Sequence, residues 1–130
     1  MTSYTGGCAC GVVRYEVTSE PRASIHCQCR QCQRATGAGH ASLLAVKAED
    51  TSVRGELQYY EQTADDGNTV ARGFCPICGS PILGRTSGYP DLLLITAGSL
   101  DDPSRFKPEK VVWTASGQPW DYLDPELPAS

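Results

Sequence analysis

Apolar and polar residues alternate through residues 12–18, where Val13, Tyr15 and Val17 stand against Arg14, Glu16 and Thr18. A period of two predicts a strand with one buried face. Pro21 ends it, and residues 22–26 read as a second short strand. Residues 30–36 carry no apolar stripe and read as at best one helical turn before Gly37 and Gly39. Residues 41–46 are apolar and expected to be buried, and Leu57 starts another strand. Asp65, Asp66, Gly67 and Asn68 are turn chemistry that sends the chain back as a hairpin through residues 69–74. Residues 82–85 and 92–97 are further strands, the second aliphatic enough to be central in a sheet. A turn at residues 100–103 and a last strand at residues 110–114 complete the pattern. Many short strands with Gly and Pro between them predict an all-β fold, and with no repeat or linker the expectation is one domain over residues 1–130.

Composition narrows the function. The chain has 130 residues, 40% of them hydrophobic, and a formal net charge of -4 without a basic tract, which gives no nucleic-acid surface. The N-terminus has neither a basic nor an apolar leader segment, and the longest purely aliphatic run is residues 92–95, too short for a membrane span. The expectation is a cytoplasmic protein with no membrane partner.

Seven cysteines then change the picture. An odd number, with C-x-C spacings, makes a poor disulfide framework, and a reducing compartment keeps them as thiols. Metal binding is the better reading. Cys75 and Cys78, in Phe-Cys-Pro-Ile-Cys-Gly, have the form of a zinc knuckle, in which Gly79 permits a tight turn and its N–H can donate to a ligand sulfur. A knuckle supplies two ligands of four, and Cys8 and Cys10, also followed by Gly, are the natural second pair. Closing the long loop between these pairs costs only about 0.6 kcal/mol per doubling of length. Structural zinc contributes on the order of 10 kcal/mol. Cys27, Cys29 and Cys32 remain, three thiols one ligand short of a closed site, as a catalytic zinc with an open position requires.

The three motifs together resemble the glutathione-dependent formaldehyde-activating enzyme family, which includes centromere protein V. They are Gly7-Cys8-Ala9-Cys10-Gly11 with Val13 and Tyr15, then Cys27-x-Cys29-x-x-Cys32 with Thr36-Gly37, then Arg72-Gly73-Phe74-Cys75-x-x-Cys78-Gly79-Ser80. The stretch from Gly98 to Pro103, Trp113 and Pro119-Trp120 extend the likeness over nearly the whole chain. The resemblance implies a zinc-bound β-tent of short antiparallel strands with two Zn²⁺ per chain. Cys8, Cys10, Cys75 and Cys78 would form the structural site, and Cys27, Cys29 and Cys32 the catalytic one. It further implies a carbon–sulfur lyase that takes glutathione and formaldehyde as partners and makes S-hydroxymethylglutathione. Two positions depart from the family pattern: Gln28 stands where the middle motif commonly has His, and Val112 precedes Trp113 where His is frequent.

A substrate thiol taken as fourth ligand would ionise near neutral pH and add to the aldehyde. Arg30 and Arg34 flank Cys32, either to receive substrate carboxylates or simply as solvated charges. His26 and His40 read as surface or packing residues, His26 being the better candidate for a role at the trio. Trp113, Trp120 and Tyr122 line a pocket or, as such aromatics more often do, close a small core. Asp65, Asp66, Asp101 and Asp102 read as turn residues. A different thiol or carbonyl substrate, and a non-catalytic zinc module that binds a protein, are the alternative readings.

Overall fold

The computed structural model describes residues 3–130. Among these residues, ten strands form two sheets. The smaller holds β1 (Tyr4–Gly7), β2 (Arg14–Val17) and β5 (Thr51–Arg54), all antiparallel, in the order β1-β2-β5. The larger adds β3 (Ala23–Cys27), β4 (Ala41–Lys47), β6 (Gln58–Thr63), β7 (Thr69–Phe74), β8 (Pro81–Thr86), β9 (Leu92–Thr96) and β10 (Lys110–Val112). Its order is β10-β3-β4-β9-β8-β7-β6, so β9 is central, as its aliphatic run predicts. The all-β expectation holds, although β10 runs parallel to β3 where antiparallel pairing was expected.

Period-two burial explains how the sheets meet. Tyr15 and Val17 of β2 are buried while Glu16 is exposed. They join Leu44 and Val46 of β4 and Leu93 and Ile95 of β9 in one core. Leu44 is paired across from Ile95 and Val46 from Leu93, so these side chains stack in register. Ala41 and Leu43, one step out of phase on β4, belong instead to a second cluster with Cys27 and Cys32. Alternation puts that cluster on the other face of the large sheet.

Two strands escape the hydrophobic pattern. β1 reads Tyr-Thr-Gly-Gly, and β5 is exposed along most of its length, so neither shows an apolar alternation. Gly6 is there because of close approach: a Cβ on it would lie 2.3 Å from the Tyr15 hydroxyl and 2.4 Å from the Ser99 carbonyl oxygen. Gly6→Ala should therefore destabilise the protein by about 1–3 kcal/mol, as overpacking does. Urea unfolding of the metal-loaded protein measures it, and an unchanged midpoint would show that β1 can shift freely.

The turn after β6 forms as expected, with Ala64 N–H donating to the Asn68 carbonyl at 2.8 Å and Gly67 at φ 87°. The segment expected to be one helical turn is a helix, α1 (Arg30–Thr36). It needs no apolar stripe because its buried residues are Cys32 and Gln33. The last strand stops at Val112, two residues early, because Trp113 adopts a left-handed conformation at φ 58°.

Candidate metal–thiolate sites

Each motif folds locally into a turn that aims its sulfurs inward. At Cys8–Gly11, Gly11 N–H returns to the Cys8 carbonyl at 3.1 Å, and Val13 N–H donates to Cys8 Sγ at 3.2 Å. Gly11 and Gly79 take nearly the same left-handed conformation, φ 83° and 79°, so the two turns are alike. At the knuckle, however, Gly79 N–H donates to the Cys75 carbonyl at 2.8 Å; it is Ile77 N–H that donates to Cys75 Sγ, at 3.4 Å. The glycine thus shapes the turn and a neighbour serves the sulfur. Ser80 Oγ accepts from Ala9 N–H at 3.0 Å and lies 3.2 Å from Cys78 Sγ, which links the two turns. The Ser80 hydroxyl, then its backbone, hold the Cys78 thiol well below its ordinary range, at about 5.

The four sulfurs of Cys8, Cys10, Cys75 and Cys78 lie within 4.8 Å of one another. Cys8 and Cys10 are 3.6 Å apart, and Cys10 and Cys75 3.8 Å. A tetrahedron with zinc–sulfur bonds of about 2.3 Å has edges of about 3.8 Å, so the donors and their spacing fit that ion. Cys8 and Cys75 are part of the main core, and Cys75 is fully buried.

The sulfurs of Cys27, Cys29 and Cys32 also gather within 4.8 Å, and among the described residues no histidine, aspartate or glutamate joins them. The spacing works because the motif straddles two elements. Cys27 ends β3, and Cys29 caps α1, its sulfur accepting from Cys32 N–H at 3.2 Å. Gly37 at φ 73° closes the other end. Cys27 and Cys32 are buried; Cys29 is half-buried, on the accessible side of the cluster. Hydrogen bonds from the Cys27 and Cys32 side chains draw the Cys29 thiol strongly down, while those same contacts push Cys27 up. A bound dication would let all three thiols ionise.

Around the trio lies a polar layer that spacing alone does not reveal. Buried Gln33 donates to the carbonyls of Gln28 and Ser116, both at 2.9 Å, and accepts from Gln118 at 3.1 Å and from Arg30. Gln28, at the position where the family pattern has His, donates from Nε2 to Asp121 Oδ2 at 3.1 Å. Asp121 also faces His40 Nδ1 at 2.9 and 3.0 Å. His26 meets His40 edge to face, ring centres 4.7 Å apart, and its Nδ1 lies 2.9 Å from Ser42 Oγ. Burial, then the His40 charge, push His26 below the usual imidazole range. Arg72 of β7 reaches Cys32 Sγ at 3.8 Å. Arg30 and Arg34 lie exposed on α1. Trp113, Trp120 and Tyr122 are exposed as well, which overturns the expectation that they close a small core; the aliphatic side chains of the strands fill the core instead.

Fold and site together define a mostly β protein with two cysteine clusters that could each hold a metal ion. The chain belongs to the glutathione-dependent formaldehyde-activating enzyme family, which it matches over residues 3–116. A Halomonas elongata protein provisionally named glutathione-dependent formaldehyde-activating enzyme is 33% identical over 111 residues, 82% of this chain and 71% of that one. A crystal structure of a Rhodobacter sphaeroides protein superposes with a TM-score of 0.62 over 97% of this chain and 99% of that chain, at 20% identity, a likeness of fold. Among the described residues no helix is long and apolar enough to cross a membrane.

Proposed function

We propose that this protein is a zinc-dependent carbon–sulfur lyase that joins glutathione to formaldehyde, acting as one domain in the cytoplasm. The observation that carries this reading is the three-sulfur cluster with its half-buried member, Cys29, on the accessible side. Cys8, Cys10, Cys75 and Cys78 would hold a structural zinc, and Cys27, Cys29 and Cys32 a second. A zinc ion held there would supply an open coordination position at which an incoming thiol could ionise near neutral pH. In the overall reaction the thiolate carbon–sulfur bond forms at the aldehyde carbon, the carbonyl π electrons move to oxygen, and oxygen takes up a proton to give S-hydroxymethylglutathione.

The chain's own residues do the rest. α1 presents Cys29 and Cys32 from one rigid turn, and Gln33 fixes that helix to the C-terminal segment through Ser116 and Gln118. Arg30 and Arg34, exposed on the same helix, would receive the carboxylates of the tripeptide. Free thiols at seven positions suit a reducing compartment.

Calorimetry with glutathione and S-methylglutathione tests the reading. The methyl thioether keeps every charge of the ligand but cannot ionise, so it should bind far more weakly. Equal affinity would sink the thiolate mechanism. Changing Arg30 and Arg34 together to Ala should weaken glutathione binding by about 1.5–3 kcal/mol for each hydrogen-bonded carboxylate lost, and barely alter that of a small uncharged thiol. Unchanged glutathione affinity in that variant would remove the arginines from the site.

A further inference from the structure

Arg72 has no part in the chemistry set out above, yet its surroundings single it out. It sits on β7, half-buried, three residues before the knuckle cysteine Cys75. One guanidinium nitrogen donates to Gln62 Oε1 at 3.0 Å; the other approaches Cys32 Sγ at 3.8 Å, across 40 residues of sequence. The ion pairs among the described residues are Arg14 with Asp101 and His40 with Asp121, so no carboxylate balances Arg72. A guanidinium withdrawn from water without a counter-charge is costly. The group it does touch is a sulfur of the trio.

We propose that Arg72 is the counter-charge of the three-thiolate site, a positioning residue that makes a dication with three thiolates electrically tolerable in a partly buried setting. Three thiolates on Zn²⁺ leave one net negative charge, and a fixed positive charge at Cys32 offsets it. The hydrogen bond to Gln62 on the neighbouring strand aims the guanidinium, so the fork points at the sulfur instead of solvent. The placement also gives β7 two tasks. It carries Arg72 to the open cluster and Cys75 to the closed one, so the strand that anchors the fold also steadies the reacting site.

This inference rests on the trio being a metal site, and the test separates the two. Zinc-loaded protein is titrated with a competing chelator, with no thiol substrate present, for the wild type, Arg72→Gln and Arg72→Lys. Outer-shell partners of a metal ligand typically alter metal affinity by about 10- to 100-fold. Arg72→Gln should weaken zinc at the trio by a factor in that range, Arg72→Lys should keep most of the affinity because it keeps the charge, and zinc at the four-cysteine site should be held as before in both. Wild-type affinity at the trio in Arg72→Gln, or equal losses in the Gln and Lys variants, would overturn the counter-charge role. Wild-type protein that retains zinc only at the four-cysteine site would overturn the reading of the trio itself. Should Arg72→Gln fail to fold, Gln62→Leu leaves the arginine but removes its aim, and trio affinity unchanged by it would equally refute the proposal.

Discussion

Cys75→Ser should yield a chain with no cooperative unfolding transition. Cys75 is fully buried in the main core, which also holds Val13, Ile82 and Cys8. Structural zinc in small domains contributes about 10–16 kcal/mol near neutral pH. A domain of this kind is stable by about 5–15 kcal/mol in all, so losing one ligand of a closed site removes most or all of the margin. The serine hydroxyl would also sit where a sulfur now accepts from Ile77 N–H, without the charge a thiolate offers. Circular dichroism and native mass spectrometry are the measurements. A variant that melts cooperatively with the wild-type zinc content would show that this cluster does not hold the fold together.

Cys29→Ser should do the reverse, leaving a folded protein that has lost its turnover and binds one zinc fewer. Cys29 caps α1 through its side chain, and serine is among the best residues for that position, so the cap survives the exchange. The sulfur that the loss removes is the accessible one of the trio. Exchange spectroscopy of a glutathione and formaldehyde mixture reads the interconversion directly, and the variant should show the rate of the mixture without protein. If Cys29→Ser unfolded as Cys75→Ser does, the division of seven thiols into four and three would be wrong.

Thiol spacing carries information that burial patterns do not. The closed and open clusters were both readable because C-x-C and C-x-x-C motifs fix which sulfurs can share a point in space, whatever the strands do between them. β2 was readable because it buries side chains on a period of two, β9 because its aliphatic run marks a central strand, and β7 because the turn before it sends the chain back. β1 and β5 were not, since glycine and exposure erase that alternation. α1 was underestimated because the face it buries is polar, and Gln33 satisfies itself through partners 83 and 85 residues away that no local pattern announces. The pairing of His40 with Asp121, 81 residues apart, and the reach of Arg72 to Cys32 are likewise products of tertiary placement.

The two clusters occupy opposite faces of one sheet, Cys8 and Cys75 in the main core and the trio in a small cluster with Ala41 and Leu43. A substitution among the side chains around the trio therefore does not touch the packing of the main core directly. Gln28, Asp121 and His40 bond to one another on the trio's side, and none of them belongs to the main core. The side chains around the trio and those that hold the main core are thus two separate sets, divided by one sheet.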